Sequence, residues 1–229
     1  MPKFISIEEA VKLIPDGATV MFGGFMGCGN AHRFIDALSK SGVKDLTYIG
    51  NDGVCPGGPM GEEYYGAAKL IHNKQVSRMI ASHVGLNPEV AQQSMVDGTL
   101  EVTLIPQGSL AEMIRAGGAG LGGVLTPTGV GTIIEESPLC LGKQTIDGKD
   151  YLLMKPLHAD FAVIGGAKID RYGNVWYKGS SQNFNIVMAT AADVVIAEAE
   201  EIVEIGDIAP EDVRTPGIFV DYVVEGGKY

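Results

Sequence analysis

The sequence predicts an α/β fold: a largely parallel sheet with helices on both faces and a small β-rich subregion around residues 120–160. Three observations carry this. Short β-prone runs alternate with stretches of helical spacing through the first half of the chain, the pattern of a parallel sheet. Glycine supplies 32 of 229 residues, roughly twice the ~7% of average usage, and 16 of the 32 fall in islands at 23–29, 50–61 and 117–131. The composition is otherwise globular, with 45% apolar and 20% charged residues. No Pro/Ser-rich linker and no repeat divides the chain, so residues 1–229 read as one domain.

Each element has a local reason. Ser6-Ile7-Glu8-Glu9 is a capping box ahead of Ala10, Val11, Leu13 and Ile14, and Pro15-Asp16-Gly17 stops that helix. Thr19–Phe22 is a strand entering the first glycine island. Asn30 is the expected N-cap of a helix whose buried stripe is Phe34, Ile35 and Leu38. Leu46–Ile49 is a strand entering the second island, followed by a helix around Glu63–His72 and a strand near Arg78–Ser82. Asn87-Pro88-Glu89 starts a helix with proline in its first position. Glu101–Ile105 is a strand, and Pro106-Gln107-Gly108 opens a helix over Ser109–Ala116. Beyond the third island, strands are expected at Tyr151–Met154, Phe161–Ile164, Asn174–Tyr177 and Asp193–Ala197, with a helix between about Phe184 and Ala191.

Composition narrows the function. The net charge of −11 argues against duplex nucleic acid or an anionic membrane as a partner, since both require a basic face. Ten acids against two bases in residues 193–229 read as a solvated C-terminal surface. If the ligand is anionic, it is expected on the first 190 residues, held by backbone N–H groups rather than a lysine patch. The cysteines, Cys28, Cys55 and Cys140, are odd in number and form no CxxC, which fits a reduced, cytoplasmic setting. The four histidines form no ligand pattern, so no metal is expected. The N-terminus lacks the apolar core of a signal peptide, and the apolar run from Ala18 to Cys28 is too short to span a bilayer.

The glycine islands are the candidate functional features. Phe22-Gly23-Gly24-Phe25-Met26-Gly27-Cys28-Gly29-Asn30 lies between a strand and a helix, where it either faces an anion at the helix N-terminus or makes a tight turn at positive φ. It is neither a dinucleotide fingerprint, because His32 stands where the third glycine belongs, nor a Walker A loop. The third island, with Gly117, Gly118 and Gly120, is expected to contact a ligand or a partner rather than only to turn the chain. Cys28 reads as a small packing residue rather than an activated thiol, and Glu135-Glu136 as solvated charge rather than a catalytic pair. No nucleophile–base constellation is evident.

The segment Asp16–Gly29 resembles the first signature of the family I (3-oxoacid) coenzyme A transferases. The resemblance continues through Arg78–Ser82, Pro106–Glu112, Ile114–Gly120, Thr126–Thr132, Asn183–Asn185 and Thr215–Gly217, nearly the whole chain, and is to the α half of acetate/butyrate–acetoacetate-type enzymes. It implies a CoA-transferase-like fold and ping-pong catalysis through a glutamyl-CoA thioester. In that family the glutamate stands in a Ser-Glu-Asn-Gly motif of the β half, and the motif does not occur here. The resemblance therefore implies an α subunit without a catalytic residue of its own, a β-subunit partner in an α2β2 or larger assembly, and a CoA thioester as substrate rather than a resident cofactor. It assigns Gly23, Gly24, Phe25, Met26, Gly27, Cys28 and Gly29 to CoA binding, and Asn51 and Gln107 to the acyl site as amide donors for a carboxylate or oxyanion. Three departures from the resemblance stand out: Ala31 where the family has proline, and segments at 53–66 and 137–142 that read as expanded. Two other readings are a sugar-phosphate isomerase-like enzyme and a non-catalytic CoA-ester-binding module.

Overall fold

The computed structural model describes residues 1–228. In chain order the elements are β1 (Lys3–Phe4), α1 (Ile7–Val11), β2 (Thr19–Phe22), α2 (His32–Lys40), β3 (Leu46–Ile49), α3 (Ala68–His72), β4 (Val76–Ala81), α4 (Pro88–Ala91), β5 (Glu101–Leu104) and α5 (Gln107–Gly118). There follow β6 (Val124–Thr126), β7 (Cys140–Ile146), β8 (Lys149–Met154), β9 (Ala159–Asp170), β10 (Val175–Trp176), α6 (Asn185–Met188), β11 (Ala192–Val203) and β12 (Tyr222–Glu225).

The main sheet has the order β1-β12-β11-β9-β2-β3-β4-β5, parallel throughout, with β10 added antiparallel to β9. From β2 the chain winds outward through β3, β4 and β5. It then returns to β9 on the other side of β2 and winds outward through β11 and β12. The direction of winding thus reverses between β2 and β9, and in open α/β sheets the ligand crevice lies beyond the strand carboxyl ends at such a point. A separate antiparallel sheet, β6-β8-β7, forms the expected β-rich subregion.

Alternate strand residues feed the two faces, as the pleat requires. Val20, Phe22, Leu46, Tyr48 and Val163 join a core with Phe34, Ile35 and Leu38 of α2 and Leu70 and Ile71 of α3. Met21, Ile49, Ala162 and Ile164 join the opposite core with Leu110, Met113 and Ile114 of α5 and Met188 of α6.

Several boundaries move for physical reasons. The helix expected around Glu63–His72 starts only at Ala68. Upstream, Gly57 and Gly58 N–H bond to the Glu63 and Glu62 carbonyls, which folds 56–64 back on itself. The capping box at Ser6 forms as expected, and Asn87 caps α4 through Glu89 N–H with Pro88 following it. Asn30, however, does not cap α2. The N-cap is Ala31, which makes no side-chain cap bond. The cap comes instead from Glu198 on β11, whose carboxylate accepts N–H bonds from Arg33 at 3.2 Å and Phe34 at 2.6 Å.

Candidate functional site

Four adjacent strand ends converge on one cleft of about 270 Å³ lined by Phe25, Met26, Asn51, Asp52, His83, Leu86 and Gln107. Phe25 and Met26 follow β2, Asn51 and Asp52 follow β3, His83 follows β4, and Gln107 opens α5 after β5. Parallel register aligns these ends, so residues more than 50 apart in sequence become neighbours.

The polar floor is a directed chain of hydrogen bonds. Gln107 Nε2 donates to Asn51 Oδ1 at 2.6 Å, and Asn51 Nδ2 donates to Asp52 Oδ2 at 2.6 Å. Ser82 Oγ donates to the Asn51 carbonyl at 2.8 Å and is 3.1 Å from its Oδ1. Asp52 also accepts N–H bonds from Met26 and Val54, both at 2.8 Å. Asn51 and Asp52 are buried, whereas Phe25, Met26 and Leu86 at the rim are 42–43% exposed. The structure thus brings the two sequence-predicted amides into direct contact. Asp52, Ser82 and His83 are not singled out by the sequence. The available signal is the Asn51-Asp52 step two residues beyond a four-residue strand, at the end of the sheet where ligands bind.

The first glycine island is held on three sides. Asn30 Nδ2 donates to Gly23 O, and Asn30 Oδ1 accepts from Ala67 N–H. Asn185, fully buried, donates through Nδ2 to Gly29 O and Ser181 O and accepts from Gly165 N–H. Asp52 holds Met26, which sits at φ 50°, a conformation strained for a side chain with a Cβ. At Gly27 the backbone lies so close to the Tyr65 ring that a Cβ would overlap it.

Five of the N–H groups between Gly23 and Asn30 are engaged inside the protein. Gly23 N–H bonds Val163 O, Phe25 and Cys28 bond each other's carbonyls, Met26 bonds Asp52 and Asn30 bonds Gly27 O. The start of α2 is likewise taken, by the carboxylate of Glu198. Of the two readings of the island, the tight turn at positive φ is seen at Gly24, Gly27 and Gly29, and the helix start beside it is met by a side chain of the same chain. Burial raises the Glu198 pKa to about 7 despite the opposing N–H bonds of Phe34 and Arg33. Nearby His32 is lowered to about 4, chiefly by burial, and its ring stacks on Tyr65. Both residues border a second cavity of about 400 Å³ at the β2/β9 switch, which Cys28, Gly29, Gly165 and Lys178 also line. Cys28 Sγ is 3.5 Å from Ser180 Oγ.

The third island departs from expectation. Gly117 and Gly118 are not in a loop but close the last turn of α5. A Cβ on Gly117 would strike the Leu157 carbonyl, and one on Gly118 would strike Thr190. Their smallness lets α5 pack against this chain's own backbone. Gly120, at φ +67°, and Gly131, at φ +76°, have open space around their Cβ positions and remain turn glycines. Glu135 accepts an N–H bond from Gly131 at 2.7 Å, which ties the Thr126–Thr132 turn.

An open, doubly wound sheet with polar side chains gathered beyond its strand ends defines the class of architecture, and comparison with known proteins defines the family. The Coenzyme A transferase family model matches residues 4–226, so the chain belongs to the coenzyme A transferase family. It is 46% identical over 224 residues to "Acetate CoA-transferase subunit alpha" of Escherichia coli (strain K12), covering 97% of this chain and 96% of that protein. It is 45% identical over 223 residues to "Acetoacetyl-CoA:acetate/butyrate CoA transferase alpha subunit" of Clostridium acetobutylicum, covering 97% of each. An acyl-CoA transferase from E. coli O157:H7, solved as a thioester complex with CoA, shares the fold with a TM-score of 0.85 at 24% identity. The match covers 98% of this chain but 47% of that one. The expected family and fold are thereby established.

Proposed function

We propose that the chain is the α subunit of a short-chain acyl-CoA:carboxylate CoA-transferase. In this reading it works in the cytoplasm in an α2β2 or larger assembly, with a β subunit that contributes the nucleophilic glutamate. Acetyl, butyryl or acetoacetyl thioesters are the donors, and CoA is substrate rather than resident cofactor. The observation that carries the reading is the Asn51–Gln107 amide pair, in a cleft whose acid, Asp52, is already engaged by three N–H donors. An Asp so occupied is a poor nucleophile, whereas each amide nitrogen has a second N–H beyond the one engaged internally.

The chemistry follows. The partner's glutamate carboxylate attacks the thioester carbonyl, and negative charge develops on the carbonyl oxygen. N–H groups from Gln107 and Asn51 stabilise that oxyanion. The C–S bond breaks, CoA leaves as thiolate, and an acyl-glutamyl anhydride remains. The thiolate then attacks the glutamyl carbonyl and expels the first acid as carboxylate, which leaves a glutamyl-CoA thioester. A second carboxylate enters and reverses both steps. The CoA chain passes over residues Gly23–Gly29, and the exposed Phe25, Met26 and Leu86 meet the acyl chain and the β subunit.

The isolated chain should show no transfer, and adding the matching β subunit should restore it. Gln107→Ala in the pair should lower kcat by about 10²–10³-fold, the effect of removing an oxyanion donor. Mass spectrometry after quenching with acyl-CoA should find the CoA adduct on the β chain. An adduct on this chain, or robust transfer without the partner, would overturn the proposal.

A further inference from the structure

A primary amide can be turned end for end, and catalysis by an amide donor depends on which end faces the substrate. In this cleft the choice is made by one buried side chain, Asp52. A carboxylate only accepts hydrogen bonds, so the Asn51 group facing Asp52 Oδ2 at 2.6 Å must be its NH2. Asn51 Oδ1 is thereby turned toward Gln107 and Ser82, where Gln107 Nε2 donates to it at 2.6 Å. The Gln107 amide is then oriented in turn. The same Asp52 oxygen also holds the strained Met26 N–H at 2.8 Å, and Tyr48 OH anchors the Asp52 carbonyl at 2.8 Å. Asp52 is 4% exposed, so its geometry is set by protein rather than solvent.

We propose that Asp52 is a positioning residue for CoA transfer: it fixes the amide orientation of Asn51 and, through Asn51, that of Gln107. The inference rests on the α-subunit reading above for its effect on turnover, but not for its effect on the amides. Asp52→Asn keeps the shape and removes the obligatory acceptor. Its NH2 then faces either the Val54 N–H or the Asn51 NH2 and Met26 N–H, and in the second arrangement Asn51 is no longer held with its oxygen toward Gln107.

The test uses the reconstituted αβ pair and the isolated chain together. In the pair, Asp52→Asn should lower kcat about tenfold or more while KM for the CoA thioester changes less than about twofold, the signature of an interaction needed only in the transition state. In a Gln107→Ala background the same substitution should cost less than about twofold, because residues acting in series are not additive. A full additional loss in that background would overturn the proposal. In the isolated chain, the side-chain amide resonances of Gln107, identified by their loss in Gln107→Ala, should shift with Asp52→Asn, and unmoved resonances would overturn the proposal regardless of activity. If the wild-type pair transfers no CoA, the function reading fails and the resonances alone decide Asp52. Should Asp52→Asn not fold, Asp52→Ser carries the same comparisons with a smaller side chain.

Discussion

Gly29, Gly117 and Gly120 show how one residue type answers to different constraints. Gly29 lies at φ +81°, and a Cβ there would stand 2.5 Å from the Ser181 carbonyl oxygen. Backbone conformation and lack of space both exclude a side chain. Gly117 has ordinary helical backbone, but its Cβ position coincides with the Leu157 carbonyl. Gly120 is at φ +67° with nothing nearby. Alanine at Gly120 should therefore cost only the left-handed penalty, about 1–2 kcal/mol. At Gly117 it should cost about 1–3 kcal/mol of overpacking, and at Gly29 both penalties together. Urea unfolding of the three variants checks the order, and an equal cost at Gly120 and Gly29 would contradict it. At this scale the sequence marks where glycine concentrates but not why. The oxygen that excludes a side chain at Gly117 belongs to a residue 40 positions away.

Among elements, the start of α2 shows where local reading stops. Six strands of the parallel sheet, β2 to β5 with β9 and β11, are legible as β-prone apolar runs, whereas the two-residue β1 and the C-terminal β12 are not expected from the sequence. Asn30 has the local pattern of a cap, yet the residue that caps α2 arrives from β11, 165 positions from Arg33. The candidate site divides in the same way: Asn51 and Gln107 are legible by resemblance, and Asp52 becomes visible only when four strand ends are aligned. The cap has a pH consequence that a local Asn would not have. Glu198 titrates at about 7 in the folded chain against 4.5 unperturbed, so its contribution is present below pH 4.5 and is lost as pH rises to 7. His32 titrates at about 4 against 6.5, so its contribution is present above pH 6.5 and is lost as pH falls to 4. The two slopes oppose between pH 4.5 and 6.5, so the joint contribution of this pair is nearly flat there. His32→Gln should uncover a fall in unfolding free energy from pH 4.5 to 7, and Glu198→Gln a rise from pH 4 to 6.5. Each change should be on the order of 3 kcal/mol, because a proton bound in only one of the two states is worth about 1.4 kcal/mol for every pH unit. Denaturant titrations across this range check the signs, and parallel profiles for the two variants would refute the assignment.

For the whole molecule, the placement of apolar surface matters more than its amount. The chain matches 98% of itself but only 47% of the CoA-bound acyl-CoA transferase, so the fold here corresponds to about half of that chain. Phe25, Met26 and Leu86 are 42–43% exposed and all border the cleft that holds Asn51 and Gln107. Three exposed apolar side chains around a buried polar floor make the rim of a site that a second polypeptide can close, and closure would exclude water from the oxyanion proposed there. The excess of acids lies in residues 193–229, and none of them lines the cleft, whose one acid, Asp52, is in the buried floor. A charge at the rim should then block assembly without harming the fold. Leu86→Asp places a carboxylate where docking would bury it unpaired, a cost of several kcal/mol at the interface but little in the free chain, where the position is half open to solvent. Sedimentation of the mixture should show the variant failing to join the β subunit. Its melting temperature alone should stay within a few degrees of wild type, and Leu86→Met should assemble normally. Assembly and turnover unchanged in Leu86→Asp would place the partner on another face, and the exposed rim would then need a different explanation.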